Sequence, residues 1–489
     1  MRPRVISARG KMQLWAEALV ITVLAYLYFR ALSGWRPTDA DEGSYLIAGQ
    51  RLLGGELPHV DFFFPQLPGS PLLYGLGQLV VGRGIESGRI VAVLAAASTV
   101  LVMYWALVPR AGRLVAFGAC LFFSTHPLVA SWIVVAKTTA LQVVFGCASI
   151  ALAANCRGQN ARLVSAGVLF GCALACRATA APLLFALVLA AIKSAPHEGL
   201  RPSLRRLSPL LLGCLVPLIP VLVLASMAPA RFWFDNVSFH SIYPGGVRDL
   251  GAGVRVFFPS FGLSTCTSAL GCGATHNVLL LALTGLALAR RRDWATCAVP
   301  YLVAAATCVA VVFVPVKTYE QYAVPALPFL IVFCGAALPG RMSVMLPVVC
   351  LVALPSSYSF LRAYANSNSE QRPGAEDEVA RRLDAAAGPG GVVSSRWPNY
   401  LVACRRERLP AARSQFARLA GSRVPREMRA RHLLHMDVDL YSAVLERRTR
   451  AAFASGRYRD PVFLARLQTG GWYVVDRVGS VEVWSPRPP

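Results

Sequence analysis

The sequence predicts a mainly α-helical protein that crosses a membrane many times and carries a small soluble α/β domain at its C-terminal end. The first observation is composition: of 489 residues, 55% are apolar and 15% are charged, with a mean hydropathy of +0.50. Soluble globular domains are roughly 45–50% apolar and about 25% charged. The second observation is that the apolar residues occur in long blocks, which is typical of membrane helices. The same composition excludes a disordered chain.

Eleven apolar runs are the predicted membrane spans, and they belong to the first of two predicted domains, 1–358. Some runs are shorter than the about 20 residues that a helix needs to cross a hydrocarbon core of roughly 30 Å. We therefore expect neighbouring helices to cover parts of the short spans. The runs lie near 15–32, 90–108, 114–125, 138–155, 163–176, 178–192, 208–228, 277–289, 294–315, 324–339 and 342–358.

The distribution of basic residues predicts the orientation in the membrane. Every second loop between the runs carries Arg or Lys, beginning with Arg2 and Arg4 and ending with Arg341. Because cytoplasmic loops are enriched in these residues, the N-terminus is predicted in the cytoplasm and the C-terminal domain, 359–489, outside. We expect an integral protein of a bacterial inner (plasma) membrane with an extracytoplasmic C-terminal domain.

The net charge of +24 is also explained by where the basic residues lie. Only 4 of the 49 basic residues are lysines, and most arginines before the C-terminal domain lie in the short loops. Nucleic-acid binding is not expected, because it requires a basic surface that follows a polyanion. The basic excess of the C-terminal domain suits contact with anionic membrane lipids.

The C-terminal domain alternates between helical and extended patterns and contains no obvious catalytic set. Its predicted helices are 375–387 and 438–453. Its predicted strands are 390–394, 472–476 and 480–484.

The first outer loop, 33–89, is the most informative segment. Two of its pieces, 45–53 and 72–81, have an apolar face but are too short to cross, so we expect helices that lie in the membrane interface. The cytoplasmic loops are short and contain neither a P-loop nor a G-x-G-x-x-G fingerprint. Any chemistry is therefore expected on the outer side.

Three carboxylates within four residues, Asp39, Asp41 and Glu42, follow the first span. One interpretation is that they cap the next helix. The other is a general base, because neighbouring carboxylates raise each other's pKa toward the working range. Asp41 and Glu42 point about 100° apart on a helix and cannot address one atom. Asp41 shares its face with Tyr45, so Asp41 is the preferred catalytic residue and Glu42 the second candidate.

Asp39 and Asp41 also form a D-x-D pattern. Two carboxylates at this spacing suit a divalent cation, because hard cations prefer oxygen ligands. The pattern is only three residues long, so the sequence predicts no metal ligand with certainty and no other cofactor.

Three cations lie in short outer turns next to spans: Arg177, Lys137 and Lys317. One interpretation is that they extend toward lipid head groups. The other is that they bind a donor phosphate, as charges beside membrane spans are functional candidates by default. Arg177 is the best suited, because its planar guanidinium binds two phosphate oxygens at once.

Three motifs occur in a fixed order. Residues 41–45 read DEGSY, residues 58–74 contain P-x-x-D followed by Pro68 and Tyr74, and residues 319–328 read YEQYAVPALP. Together they resemble the D-E-x-x-Y, P-x-x-D…P-x…Y and H-Y-x-x-P-x-x-P motifs of GT-C superfamily glycosyltransferases. The similar branch is that of bacterial protein O-mannosyltransferases and aminoarabinose lipid A transferases. The resemblance covers about 1–358.

The resemblance implies an inverting transfer of a sugar from a polyprenyl-phosphate donor to a lipid, glycan or protein acceptor at the outer face. It places Asp41 at the family's catalytic acidic residue and Arg177 near the donor phosphate. Four further residues in or beside the motifs are predicted to bind substrate: Tyr45, Asp61, Gln66 and Tyr322.

The chain departs from this branch at four positions. Gln66 stands where the aminoarabinose transferases have a lysine, and Ser44 stands where they have an arginine. Lys137 lies where an acidic residue is expected, and Gln321 replaces a common histidine. These departures argue against aminoarabinose as the sugar and leave the superfamily unaffected.

Two other functions fit a polytopic chain. A transporter or flippase of a lipid-linked substrate would place charges at mid-depth and show internal repeats. A non-catalytic membrane assembly subunit would use the C-terminal domain to bind a partner. The sequence contains no evident repeat, and its acidic cluster lies outside the spans. A glycosyltransferase is therefore the preferred prediction.

Overall fold

The computed structural model describes eleven segments: 8–155, 159–193, 205, 207–242, 274–289, 298–312, 319–338, 344–365, 373–447, 450–456 and 458–486. The helices before the C-terminal domain are α1 Ala8–Trp35, α2 Glu42–Leu53, α3 Gly69–Val81, α4 Ile85–Ala111, α5 Arg113–Thr125, α6 Pro127–Trp132, α7 Thr138–Ala153, α8 Asn160–Cys176, α9 Leu183–Lys193, α10 Leu207–Met227, α11 Pro229–Trp233, α12 Phe239–Ile242, α13 Ala274–Ala289, α14 Val299–Val312, α15 Leu327–Ala337 and α16 Met345–Ala365.

Each of the eleven predicted runs coincides with an apolar helix. Within the described residues, three of these helices are long and apolar enough to cross a membrane: Met12–Trp35, Ile85–Ala111 and Leu207–Met227. The other runs correspond to eight shorter apolar helices. Apolar side chains such as Leu19 and Leu212 are exposed on the long helices, 65% and 64% respectively, where only lipid can cover them. How many short helices cross remains a prediction.

Helices α8 and α10 pack closely because glycines lie at their contact. A Cβ atom at Gly167 would lie 2.0 Å from the Leu210 carbonyl oxygen, and one at Gly213 would lie 2.2 Å from that of Val164. Small residues allow this approach, which is how membrane helices gain packing contacts without a hydrophobic driving force. This packing fixes α8, which ends directly before Arg177, against α10.

The predicted orientation can be tested by cysteine labelling in a cysteine-free background. Ser208 at the start of α10 and Ser422 in the C-terminal domain are both exposed. In intact spheroplasts, a membrane-impermeant maleimide should label Ser422→Cys and reach Ser208→Cys only after permeabilisation. Labelling in the reverse order would contradict the orientation that the basic loops predict.

Helix α2 differs from the predicted interfacial helix. Residues 42–49 are buried, because α3 covers one side and the turn Pro398–Leu401 of the C-terminal domain covers another. The Gln50 side-chain amide donates to the Val402 carbonyl oxygen at 2.9 Å. The expectation of a surface helix is therefore wrong for 45–53. Helix α3, in contrast, exposes Leu79 and Val80, as an interfacial helix should.

The C-terminal domain contains the predicted small sheet. Its elements are α17 Pro373–Ala387, β1 Val392–Ser395, β2 Glu407–Arg408, α18 Gln415–Gly421, α19 Arg426–Arg431, α20 Asp437–Leu445, β3 Ala451–Ser455, α21 Pro461–Thr469, β4 Trp472–Val478 and β5 Val481–Pro486. The strand order is β2-β1-β3-β5-β4. Strand β1 pairs parallel with β2 and β3, and β5 pairs antiparallel with β3 and β4.

The three predicted strands and the first predicted helix are confirmed. The second predicted helix, 438–453, is wrong in its last part, because α20 ends at Leu445 and β3 begins at Ala451. All five residues of β3 are buried. A central strand buried on both faces lacks the alternation of polar and apolar residues that predicts a strand. The Ala-rich sequence of β3 therefore resembles a continuation of the preceding helix. The predicted domain boundary at 358 falls within α16.

Candidate active site

The acidic turn after α1 contacts a lysine from the turn before α7. Lys137 Nζ lies 2.8 Å from Asp39 Oδ1 and 2.7 Å from Asp41 Oδ2. The Lys137 side chain is 7% exposed, whereas those of Asp39 and Asp41 are 16% and 25% exposed. The Trp132 ring centroid lies 5.2 Å from Nζ, which adds a cation–π contact. Asp41 is thus the most accessible member of this group.

Glu42 turns away from this group into the protein. Its carboxylate accepts hydrogen bonds from Arg89 Nη2 at 2.6 Å and Nε at 2.9 Å, and from the Ala136 backbone N–H at 3.0 Å. Both charged side chains are fully buried. Arg89 also donates to backbone carbonyls at the end of α1. The ion pair therefore joins α1, α2, α4 and the turn that presents Lys137.

Two amide side chains of the C-terminal domain reach the acidic turn. Gln415 Nε2 donates to Asp41 Oδ1 at 3.1 Å and to the preceding carbonyl oxygen at 2.7 Å. Asn399 Oδ1 accepts the Gly43 N–H at 2.7 Å, and Asn399 Nδ2 donates to the Asp39 carbonyl oxygen at 2.9 Å. The Asp41 side chain makes no capping hydrogen bond to α2. The helix-cap interpretation is therefore wrong for Asp41.

The two aspartates differ in their electrostatic surroundings. Burial raises the pKa of Asp39, but the charge and hydrogen bond of Lys137 outweigh it, with help from the Asp41 N–H and Arg36, so the net shift is downward. Burial also raises the pKa of Asp41, the adjacent Asp39 raises it further, and Lys137 and Gln415 offset this only in part. When their environments shift the pKa values of two neighbouring carboxyl groups in opposite directions, the two groups are suited to different acid–base roles. Asp39 is the stable anion, and Asp41 is the better proton acceptor.

The buried lysine has the complementary shift. Burial lowers the pKa of Lys137, but the two carboxylates that it contacts raise it above its ordinary value. Its ammonium charge is therefore retained at neutral pH and is engaged by Asp39 and Asp41.

Arg177 lies directly after α8 and close to the acidic group. Its Nη1 donates to Thr138 Oγ1 at 3.2 Å, and its Cζ lies 4.7 Å from the centre of the Tyr322 ring. Because Thr138 follows Lys137 in the chain, the guanidinium and the Asp41 carboxylate contact two consecutive residues. The structure thus brings together the predicted base and the predicted phosphate ligand.

A cavity lies beside the Arg177 guanidinium. Its described lining consists of Gln142, Arg177, Thr179, Cys308, Val311, Tyr322 and Pro325. Within the described residues, Asp41 is not part of this lining. The Gln142 Oε1 atom is buried and has no partner within the described chain. Leaving a buried carbonyl oxygen without a hydrogen-bond donor costs free energy. This position therefore favours a bound molecule that donates a hydrogen bond to Gln142.

The two motif tyrosines that follow the acidic turn, Tyr45 and Tyr74, are buried next to it. Tyr45 is 1% exposed, and its ring contacts Phe64 and Phe416 with centroid separations of 5.8 and 6.4 Å. The Tyr74 hydroxyl donates to the Lys137 carbonyl oxygen. Both residues belong to the motifs that suggested the family, and both pack against the group formed by Asp39, Asp41 and Lys137.

Three other predicted residues have different surroundings. Asp61 is exposed, and its Oδ2 accepts the Leu57 N–H at 2.7 Å, which closes a turn. Gln66 is half-buried, and its Oε1 atom has no partner among the described residues. Lys317 lies outside the described residues. Their predicted roles in substrate or phosphate binding remain predictions.

A buried histidine–aspartate pair joins the first outer loop to the segment between α11 and α12. His59 Nδ1 lies 2.8 Å from Asp235 Oδ2, which also accepts the Phe64 N–H at 3.2 Å. Burial raises the pKa of Asp235 to about 6, although the hydrogen bond and charge of His59 oppose it. The pair fixes the loop that leads into α3, the helix that carries Tyr74.

Sequence reasoning missed Arg89, Asn399, Gln415 and the His59–Asp235 pair. Arg89 had a usable signal, because an arginine in the first turn of a span requires a counter-charge. Asn399 and Gln415 had none, because their partners lie more than 350 positions away in the chain.

The predicted cation site at Asp39 and Asp41 contains an internal cation, since the Lys137 ammonium bridges one oxygen of each carboxylate. No group of three or more His, Cys, Asp or Glu side chains with a metal-ligand arrangement occurs in the described parts of the chain. A divalent ion between these carboxylates would have to displace Lys137, so the residues present do not fit a resident metal.

Comparison with known proteins agrees with this fold. Residues 65–225 match the family described as dolichyl-phosphate-mannose-protein mannosyltransferase. No curated protein matches the chain by sequence. Two similar solved structures are those of ArnT from Cupriavidus metallidurans, and both are 15% identical to this chain.

The two ArnT structures differ in their state. The one bound to undecaprenyl phosphate has a TM-score of 0.69 and aligns with 99% of this chain and 100% of its own. The apo structure has a TM-score of 0.66 and aligns with 97% and 99%. The shared fold over the whole length and the family match over 65–225 confirm the resemblance found in the motifs. This chain is therefore similar in fold to ArnT over its whole length and to the dolichyl-phosphate-mannose-protein mannosyltransferase family over 65–225.

Proposed function

We propose that this protein is an inverting glycosyltransferase that moves a sugar from a polyprenyl-phosphate donor to a hydroxyl acceptor at the outer face of a bacterial inner membrane. The observation that carries the proposal is that Asp41 contacts Lys137 and Arg177 contacts the next residue in the chain, Thr138. This arrangement offers a proton acceptor and a phosphate ligand at one end of the helical bundle.

The reaction follows from this geometry. The acceptor oxygen attacks the anomeric carbon of the sugar, and the bond from that carbon to the phosphate oxygen breaks. Asp41 takes the proton of the acceptor hydroxyl, and polyprenyl phosphate leaves with one additional negative charge. Arg177 faces that charge, because preorganised donors act most strongly where charge develops. A single displacement needs one carboxylate and inverts the anomeric centre.

The surrounding residues have supporting roles in this proposal. Lys137 holds Asp39 and Asp41 in place, and Glu42 positions Lys137 through its bond to the Ala136 N–H. Tyr45 and Tyr322 are walls for the sugar and the phosphate, and Gln66 is a substrate ligand with a free carbonyl oxygen. The ArnT structure that is similar in fold binds undecaprenyl phosphate, which supports a donor of this kind.

The test uses the purified full-length protein in detergent micelles. A panel of undecaprenyl phosphates that carry different single sugars, beginning with mannose, is offered with glycan, lipid and peptide acceptors. We expect one of the sugar donors to release undecaprenyl phosphate. NMR of the product should show an inverted anomeric configuration. Retention of configuration, or no release from any donor, would reject the proposal.

Arg177 provides a more specific prediction. Arg177→Ala should weaken undecaprenyl phosphate binding by roughly 10- to 100-fold, because a charge-assisted hydrogen-bond pair is lost. Arg177→Lys should recover only part of it, because an ammonium cannot bind two oxygens in one plane. Binding is measured by native mass spectrometry of the delipidated protein.

The matched control is Arg162→Ala at the other end of α8. Arg162 is exposed and lies in the predicted cytoplasmic loop. Its replacement should leave undecaprenyl phosphate binding unchanged. Equal binding by the Arg177 and Arg162 variants would mean that Arg177 only extends toward lipid head groups.

A further inference from the structure

The acidic turn of the membrane domain is held from outside by the C-terminal domain. Two amide side chains, Asn399 and Gln415, contact residues 39–43 and are 0% and 7% exposed. Both amides use their hydrogen-bonding atoms on this turn rather than within their own domain. Their contacts therefore join the soluble domain to the predicted base.

Asn399 performs the task that a helix-capping residue normally performs. An N-terminal helical N–H group needs an acceptor, which is usually the side chain just before the helix. At α2 the Gly43 N–H is bound instead by Asn399 Oδ1 at 2.7 Å. The approach is close, since a Cβ atom at Gly43 would lie 2.5 Å from the Asn399 backbone nitrogen. The Asp41 carboxylate is thereby released from capping.

Gln415 acts on the carboxylate itself. Its Nε2 spans the Ala40 carbonyl oxygen at 2.7 Å and Asp41 Oδ1 at 3.1 Å, while Lys137 binds Asp41 Oδ2 at 2.7 Å. Each carboxylate oxygen thus has one fixed donor, and the two donors come from different domains. This fixes the rotation of the carboxyl group.

Resting on the proposed function, we infer that Gln415 and Asn399 are positioning residues for transfer: the C-terminal domain holds Asp41 in its reactive orientation, and the site is complete only when that domain is docked. Gln415 contributes by a direct hydrogen bond to the base. Asn399 contributes by binding the N-terminus of α2. The domain is therefore part of the catalytic unit and more than a binding module for the acceptor.

The test compares Gln415→Leu and Gln415→Glu with Gln468→Leu. Gln468 lies in α21 of the same domain and is exposed, so it controls for the loss of an amide. Gln415→Leu removes the donor, and Gln415→Glu replaces it with a second negative charge. The charged or titratable groups that face Asp41 are Asp39, Lys137 and Tyr45, and all three stay unchanged in the series.

The expected result is an ordered shift in the pH profile. With an undecaprenyl-phosphate sugar as donor, the acidic limb of kcat should move up by about one pH unit in Gln415→Leu, because a hydrogen bond to a charged group is lost. The acidic limb should move further in Gln415→Glu. At pH values below the limb, kcat should fall about tenfold below that of the parent, and the donor KM should be unchanged. Gln468→Leu should match the parent.

A second readout needs no donor. A carbodiimide modifies protonated buried carboxyl groups, so the pH at which Asp41 becomes modified can be followed by peptide mass spectrometry of the intact protein. That pH should rise in Gln415→Leu and rise further in Gln415→Glu. An unchanged modification profile in both variants would overturn the inference, even if their yield or thermal stability were lower.

Asp41→Asn separates this inference from the proposed function. If Asp41→Asn abolishes transfer while the Gln415 variants keep the parent's pH profile, the inference fails and the proposed function stands. If Asp41→Asn has the parent's activity, the proposed function fails first. Gly43→Ala, which forces α2 and Asn399 apart, should lower kcat without changing undecaprenyl phosphate binding. A parental kcat in Gly43→Ala would contradict the role of Asn399.

Discussion

Asp41→Asn should lower the rate of sugar transfer by roughly 10²–10⁴-fold, the usual contribution of a positioned general base. The substitution keeps the size and one acceptor oxygen of the side chain, so Gln415 can still donate to it. What is lost is the ability to accept the proton of the acceptor hydroxyl. The measurement is the initial rate of undecaprenyl phosphate release at saturating donor.

The pH dependence follows from the direction of the Asp41 shift. Burial and the adjacent Asp39 raise the Asp41 pKa, and a general base works only when it is deprotonated. Activity should therefore be complete above this raised pKa and be lost as the pH falls through it, at a higher pH than for an ordinary aspartate.

Two controls make the result specific. Glu446 is exposed in the C-terminal domain, and Glu446→Gln should have the parent's rate. Asp39→Asn should cost about tenfold or less, because Lys137 keeps its bond to Asp41. A near-parental rate in Asp41→Asn would show that this carboxylate is only a structural partner of Lys137.

Arg89→Ala should have the largest effect on stability, lowering the free energy of unfolding by about 3–5 kcal/mol. The substitution leaves Glu42 buried without its counter-charge. It also removes the donors to the backbone carbonyls of Ser33 and Arg36, which lie 2.5 and 2.6 Å from Nη1. Unfolding is measured by SDS titration of the protein in mixed micelles.

The control is Arg83→Ala, because Arg83 is exposed just before α4. It should stay within about 0.5 kcal/mol of the parent, as surface substitutions usually do. The double variant Glu42→Ala/Arg89→Ala should be less destabilised than the sum of the single variants, because each single change leaves an unpaired charge. Additive effects would contradict a direct interaction between Glu42 and Arg89.

The sequence by itself determined the helical character of the membrane part and indicated a candidate region for the site. Hydropathy located the eleven apolar helices found in the described parts of the chain, because lipid requires continuous apolar segments with internally satisfied backbone groups. The motif residues Asp41, Tyr45 and Tyr74 indicated the first outer loop as the candidate region for chemistry, and Arg177 was recognisable as a charge at the end of a span. These signals are local, so they can be read from neighbouring residues.

Only the tertiary structure decided how these residues are connected. Glu42 is a buried ion-pair partner because Arg89 from α4 reaches it. Lys137 is the ion-pair partner of Asp39 and Asp41, and its contact with a donor phosphate stays a prediction. Asn399 lies 356 positions from Gly43, so no local pattern can reveal their contact.

Helix α2 and strand β3 were misjudged for a related reason. Each is covered by segments that are distant in the chain. The pattern of polar and apolar residues within the segment therefore does not reveal that it is buried. Hydropathy reports the preference of a segment for leaving water, whereas the neighbour that covers the segment is set by how distant elements pack. The orientation of the Asp41 carboxyl group depends on such packing, because one of its oxygens is bound from the membrane domain and the other from the C-terminal domain.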